Sequence, residues 1–314
     1  MTQPRLQSDP MILVVGATGL LGHAICEQLR RRGAPVRVLV RSEAKAARLQ
    51  AIGCAAMRGD LKDPSSLARA CAGVTTVVTT ANAMLSREPG DSFERVDRDG
   101  TNALVRAART GGATHVVFTS VSPLLPPDNP FVRCKRAAED AVRASGMTWT
   151  ILQPTAFMEI HAGPLGGWDF ERGRARITGS GRAPLSYVSV ADVAAFAAEA
   201  VFNSAATNRA IRLAGPEPLS SLDSVAIAER VTGRRFRLQR VPVPALRVMA
   251  AMLRPVTAPL ASLFRMLIAM EGGEIVDMAP VVRDFGVRQT SFEDYVRRTV
   301  AAAGHLRRAG IAGV

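Results

Sequence analysis

Lysine is nearly absent from this 314-residue chain: Lys45, Lys62 and Lys135 are the only three among 40 basic residues. Against 27 acidic residues the formal net charge is +13, which raises nucleic acid or an acidic membrane as partners. The cations are scattered, however, and no dense basic block is interleaved with aromatics. The arginine excess reads as a compositional habit, and no nucleic-acid partner is expected. Two Trp and two Tyr are too few to suggest an aromatic binding surface. Cys26, Cys54, Cys71 and Cys134 form no CxxC pair and no metal-ligand spacing. Their apolar or helical settings suit reduced, packed thiols of a cytoplasmic protein. The histidines form no cluster, so no metal is expected. No apolar run reaches the roughly 18 uninterrupted residues that a membrane span needs. The longest candidate, around Val248–Met270, is broken by Arg254, Pro255, Pro259 and Arg265. The polar, proline-marked residues 1–10 read as a disordered tail and not as a signal peptide.

What is present is organised around Met11–Gly22. Five apolar residues, too few for a helix, end in a turn with glycine at every third position: Gly16-Ala17-Thr18-Gly19-Leu20-Leu21-Gly22. Ile25 and Leu29 follow four apart, as one helix face requires. A buried strand, a glycine turn and a helix N-terminus make a phosphate site, because unpaired N–H groups and the helix dipole point at an anion. Gly16 allows the tight turn, Gly19 lets the backbone approach a pyrophosphate, and Gly22 lets helix and strand pack closely. The pattern points to a dinucleotide.

Val36–Val40 reads as the second strand, with Arg41 at its tip. NAD-preferring folds usually place Asp or Glu there for the ribose hydroxyls. An arginine, with Lys45 one helical turn on, favours NADP(H) over NAD(H), although a solvated surface arginine would look the same. Ala55–Arg58 is a third strand leading to Asp60-Leu61, and Asp63-Pro64 opens a helix as cap and first-turn proline. Val74–Thr80 and His115–Ser120 are further strands, separated by a helix expected over Asp91–Thr110. Strands alternating with helices imply a parallel sheet whose ligands lie beyond the strands' carboxyl ends. The tips Gly16–Gly22, Arg41, Asp60, Asn82 and Ser120 should therefore line one crevice.

The stretches GATGLLG, VLVRS, GDL, VVFTSVS, ILQPTAFME and SYVSVADVAAFA resemble, in order, the atypical short-chain dehydrogenase/reductases of the NmrA-like and NAD(P)H-binding type. The resemblance runs from Met11 to about Gly215. It implies an α/β fold: a Rossmann-type doubly wound parallel sheet with a smaller C-terminal substrate-binding region. Residues 11–155 would form the NAD(P)-binding domain. Residues 156–314 would bind substrate, with a segment of about 186–215 returning to the core. By the same resemblance, Asp60 and Leu61 would bracket the adenine. Thr79, Thr80 and Ala81 would pass under the ribose, beside Asn82. Pro154, Thr155 and Phe157 would border the nicotinamide.

The family's usual catalytic pair is a tyrosine followed four residues later by a lysine. Here the segment reads Phe131-Val132-Arg133-Cys134-Lys135, so the lysine remains and the phenolic acid does not. Tyr187 and Tyr295 lie elsewhere in the pattern. Lys135 is placed to hold the nicotinamide ribose or act as a general acid, or else it is a helix-surface lysine. Ser120 and Ser122 would bond substrate or cofactor, or are simply strand-end serines. The reaction expected is hydride transfer from NADPH to a quinone, aryl or conjugated acceptor. The alternative is an NADP-binding redox sensor working through a homo-oligomer or a regulatory protein partner.

Further on, Trp168–Gly181 reads as a loop with a hairpin, Ser189–Asp192 and Ser220–Asp223 as capping boxes, and Thr290–Glu293 as the cap of the last helix. Ala210–Ala214 is a strand expected to rejoin the main sheet. Met249–Met270 reads as a packed helical pair.

Overall fold

The structure, a computed structural model, describes residues 10–86, 88–254 and 256–308. The expected disordered tail lies outside the described residues apart from Pro10. The chain runs β1 (Met11–Val15), α1 (Leu20–Arg31), β2 (Val36–Val40), α2 (Glu43–Ala51), β3 (Ala55–Arg58), α3 (Pro64–Cys71) and β4 (Val74–Thr79). A π-helical segment (Phe93–Gly100) then passes directly into α4 (Thr101–Thr110), followed by β5 (His115–Thr119), α5 (Pro130–Arg143) and β6 (Thr148–Pro154). Next come α6 (Met158–His161), β7 (Arg174–Thr178), α7 (Val190–Phe202), β8 (Arg209–Leu213), α8 (Ser221–Thr232) and β9 (Arg237–Val241). Four helices close the chain: α9 (Val243–Leu253), α10 (Ala258–Met270), α11 (Ala279–Phe285) and α12 (Phe292–Arg308).

Seven strands form one sheet in the order β3-β2-β1-β4-β5-β6-β8. From β3 to β6 every neighbouring pair is parallel. Strands buried on both faces must be apolar throughout, and β1, with Ile12, Leu13, Val14 and Val15 at most 2% exposed, is of this kind. The strand order reverses between β1 and β4, the switch point at which doubly wound sheets open a crevice. The fold is Rossmann-type α/β.

The chain divides into two compact units. One holds the described residues up to Val121, Pro130–Gln153 and Ala194–Ile211; the other holds Ser122–Asn129, Pro154–Val193 and everything from Arg212 on. The segment assigned to the first unit late in the chain is thus shorter than 186–215. Within the second unit β7 pairs in parallel with β9, so Trp168–Gly181 does not fold back as a hairpin of two strands. Only a tight turn joins Asp169 to Arg174.

Other local expectations shift for identifiable reasons. The helix expected from Asp91 begins at Phe93 with Ser92 as its cap, and its first eight residues are π-helical. Ser220 and Asp223 form a complete capping box. Ser189 caps Asp192 N–H, but the Asp192 carboxylate does not return to the cap. It accepts both the N–H and the hydroxyl of Thr290, at 2.7 Å each. Thr290 is thereby spent, and Ser291 instead accepts from Asp294 N–H at the start of α12.

Candidate cofactor site

In the first unit the turn after β1 gives each of its three glycines a different reason. Gly16 has φ +86, and a Cβ there would lie 2.7 Å from Thr80 Oγ1 and 2.8 Å from Ala81 N. A Cβ on Gly22 would meet Gly16 O at 2.2 Å, so α1 can lie against the strand only with hydrogen at that position. Gly19 is different: its φ is −82, and its added Cβ would meet nothing nearer than Gly16 O at 3.4 Å. The protein itself does not need glycine at position 19. An approaching ligand would. The N-terminus of α1 has no side-chain cap and no acid in its first turn, and Leu20 is 60% exposed there. Open N–H groups, a positive helix end and a bare glycine face suit a pyrophosphate. Thr18 shares this exposed face, while Leu21 is half-buried.

At the tip of β2, Arg41 does not stand free. Its guanidinium donates to Asp91 Oδ2 at 2.6 Å, and Lys62 and Ser86 donate to the same carboxylate. Burial works against ionisation of Asp91, but these donors outweigh it and hold its pKa near 2. Lys45 lies 3.8 Å from Glu88. Nothing in the sequence around β2 signals Asp91, which sits 50 residues from Arg41. The expected acid-free tip therefore carries a carboxylate supplied from another segment. Asp60 accepts Lys62 N–H at 2.8 Å, and Leu61 is buried beside it.

The tip of β4 is tied to β1 by Thr80 N–H on Val15 O, and Asn82 folds back on Thr80 O and Met84 N–H. The Thr79 hydroxyl is buried without a partner. Phe131 and Lys135 share the buried face of α5, and Lys135 Nζ stands 5.6 Å from the Phe131 ring centre. Lys135 is not a surface residue. Its ammonium is 3.2 Å from Asp97 Oδ1 and donates to Ala81 O at 3.1 Å and Thr119 O at 3.4 Å. The ammonium thus faces three oxygens of the protein. Asp97, on the π-helical segment, also accepts Ala83 N–H, and burial raises its pKa despite the ammonium. Ser120 donates to Glu139 Oε1 at 2.5 Å, and Gln153, Arg136 and Arg143 complete the shell of that carboxylate. These donors outweigh burial and lower the Glu139 pKa. Neither Asp97 nor Glu139 announced itself in the sequence: Asp97 meets Lys135 from another segment, and Glu139 reads as an ordinary helix acid between Arg136 and Arg143 until β5 brings Ser120 to it.

In the second unit, Ser122 donates to Glu274 Oε1 at 2.6 Å, which also accepts from Arg212 at 2.9 Å. Pro154 ends β6, the Thr155 hydroxyl donates to Ser186 O at 2.5 Å, and half-buried Phe157 bridges to Val188. Among the described residues no group of His, Cys, Asp and Glu could hold a metal ion.

Sheet order, switch-point glycines and a bare helix end define a dinucleotide-binding protein. A family model described as NAD(P)H-binding matches residues 16–204, and the chain belongs to that family. NAD(P)H is its cofactor. The chain is 33% identical over 258 residues to the (4-alkanoyl-5-oxo-2,5-dihydrofuran-3-yl)methyl phosphate reductase of Streptomyces griseus, covering 81% of this chain and 84% of that protein. It is 28% identical over 294 residues to photosystem II assembly factor Ycf39 of Synechocystis sp., covering 91% and 89%. Among solved structures, the NADPH-dependent quinone oxidoreductase QOR2 of Escherichia coli, complexed with NADPH, matches with a TM-score of 0.73 at 23% identity. That match covers 92% of this chain and 100% of the other. No helix among the described residues is long and apolar enough to cross a membrane.

Proposed function

We propose that the protein is an NADPH-dependent reductase that delivers hydride to a quinone, aryl or conjugated small-molecule acceptor. The observation carrying this reading is the apolar ring in the phenol's place: Phe131 is buried, 5.2 Å from the ring of Phe93. Both tyrosines lie in the aromatic cluster of the second unit, where burial pushes Tyr295 up to about 12 and Tyr187 higher still. An isolated carbonyl needs a proton with its hydride, whereas a quinone or conjugated acceptor spreads the new charge and can take its proton from water afterwards. Acceptors of that kind do not need the missing acid.

Bound NADPH supplies the hydride; the residues of the chain hold and orient it. The α1 N-terminus, with Gly16, Thr18, Gly19, Leu20, Leu21 and Gly22, takes the pyrophosphate. Arg41 takes the 2′-phosphate on leaving Asp91, with Lys45 as a second cation. Asp60 and Leu61 border the adenine, and Thr79, Thr80, Ala81 and Asn82 lie under the ribose. Lys135 acts as a positioning residue, fixing the Ala81 carbonyl at that edge. Pro154, Thr155 and Phe157 border the nicotinamide, and the Ser120 and Ser122 hydroxyls orient ligand from their carboxylate partners. Four free, buried cysteines suit the cytoplasm. Oxidation of NADPH with a panel of such acceptors tests the reading.

One observation favours a second reading. The polar atoms of Lys135 and Ser120 are spent inside the protein, as in a cofactor-binding protein that does not turn over. The likeness to an assembly factor over most of the chain supports it. Such a sensor would change its homo-oligomeric state or its hold on a regulatory protein when NADP(H) binds.

A further inference from the structure

We propose that the second unit carries an anion site for an organic phosphate, built on the β7–β9 ribbon from residues that the cofactor site does not use. In the parallel register Arg174 stands directly opposite Arg237, and Arg176 opposite Gln239. Strand alternation turns these four side chains to the solvent face, while Ala175 and Ile177 point into the core. Like charges directly opposite one another destabilise a strand pair unless something neutralises them. Neighbouring arginines have found acids: Arg172 is 3.6 Å from Asp169, Arg230 2.6 Å from Glu293 and Arg235 3.3 Å from Glu229. Among the described residues Arg174, Arg176 and Arg237 have no acidic partner.

These arginines line an open groove of about 420 Å³ together with Gln239, Leu238, Trp168 and one acid, Asp169, whose charge Arg172 already offsets from 3.6 Å. Trp168 is only 3% exposed, and its indole N–H is buried without an acceptor. Arg176 is held in place. A Cβ on Gly167 would meet its guanidinium carbon at 2.9 Å, and its Nε reaches Gln239 Oε1 at 3.5 Å. Three guanidinium forks around one groove match the charge and the several oxygens of a phosphate monoester better than one carboxylate. Leu238 and Trp168 add an apolar wall for the body of the molecule.

The test uses full-length protein saturated with NADP+, so that the glycine turn is occupied, in a Trp149→Phe background where Trp168 is the one indole. Phenyl phosphate, inorganic phosphate, benzoate and sodium chloride are titrated at constant ionic strength while Trp168 emission is followed. Phenyl phosphate should give a saturable change that chloride does not. Losing two charge-assisted contacts in Arg174→Ala/Arg237→Ala should weaken it at least about tenfold, with NADP+ affinity and circular dichroism unchanged. Calorimetry on the otherwise wild-type chain gives the same comparison should Trp149→Phe fail to fold. No binding beyond chloride, or equal affinity in the double variant, would overturn the site. Benzoate binding as tightly as phenyl phosphate would overturn its assignment to phosphate.

Discussion

Lys135 and Asp97 form an ion pair of 3.2 Å sealed from solvent, their side chains 3% and 0% exposed. The pair joins α5 to the π-helical segment, and the same ammonium holds the carbonyls of Ala81 and Thr119. The lysine that the family pattern marks is therefore part of the frame of the first unit.

Removing one member of such a pair leaves a buried charge without compensation. Lys135→Met should lower unfolding free energy by about 3–5 kcal/mol, measured by urea titration. Lys135→Met/Asp97→Leu should recover most of that loss, because neither charge remains. A single variant as stable as wild type would show that the pair is not sealed.

Asp91 competes for Arg41, the first of the two cations expected to meet the 2′-phosphate. Asp91→Asn should tighten NADPH binding by about tenfold, the worth of one charge-assisted contact, while NADH changes little. Arg41→Glu should remove the preference for NADPH. Calorimetric titration of both cofactors checks this, and unchanged NADPH affinity in both variants would take Arg41 out of the site.

Gly19 and Gly22 should separate binding from folding. Gly19→Val should keep native circular dichroism, since its φ of −82 is ordinary and a Cβ has room. It should nevertheless lose NADPH, because the side chain would fill the pyrophosphate's space. Gly22→Ala should lose stability before anything else, its Cβ falling 2.2 Å from Gly16 O. NADPH bound normally by Gly19→Val would contradict the cradle.

The parts legible in the sequence were those written locally. The apolar run and spaced glycines of Met11–Gly22 fix a strand, a turn and a helix within twelve residues, and Phe131 and Lys135 share a face because four residues make about one helical turn. What escaped depends on contacts across long separations. Asp91 on Arg41 and Asp97 on Lys135 come from a segment that carries no motif, and Glu139, on the helix of Lys135, meets Ser120 only through the packing of α5 on β5. The β7–β9 pairing escaped for the same reason, since a parallel partner 63 residues away leaves no turn signal between the strands.

His161 supplies a pH signature for the second unit. Its ring stacks on Tyr187 at 4.1 Å, and burial pulls its pKa down to about 4. An unfolded histidine titrates near 6.5, so between about pH 6.5 and 4 the unfolded chain takes up a proton that the native state refuses. Stability should fall with falling pH through that window by up to about 1.4 kcal/mol per pH unit. His161→Phe should remove this part of the slope when urea unfolding is compared at pH 7, 5.5 and 4.5.

The reductase reading stands most directly on the fate of the transferred hydrogen. With NADPH deuterated at the nicotinamide C4, a conjugated enone reduced by the protein over many turnovers should carry deuterium on its β-carbon. Quinones should oxidise the cofactor faster with the protein than without it. Tight NADPH binding with no deuterium in any enone, and no quinone-dependent oxidation above the protein-free rate, would contradict reduction and leave the sensor.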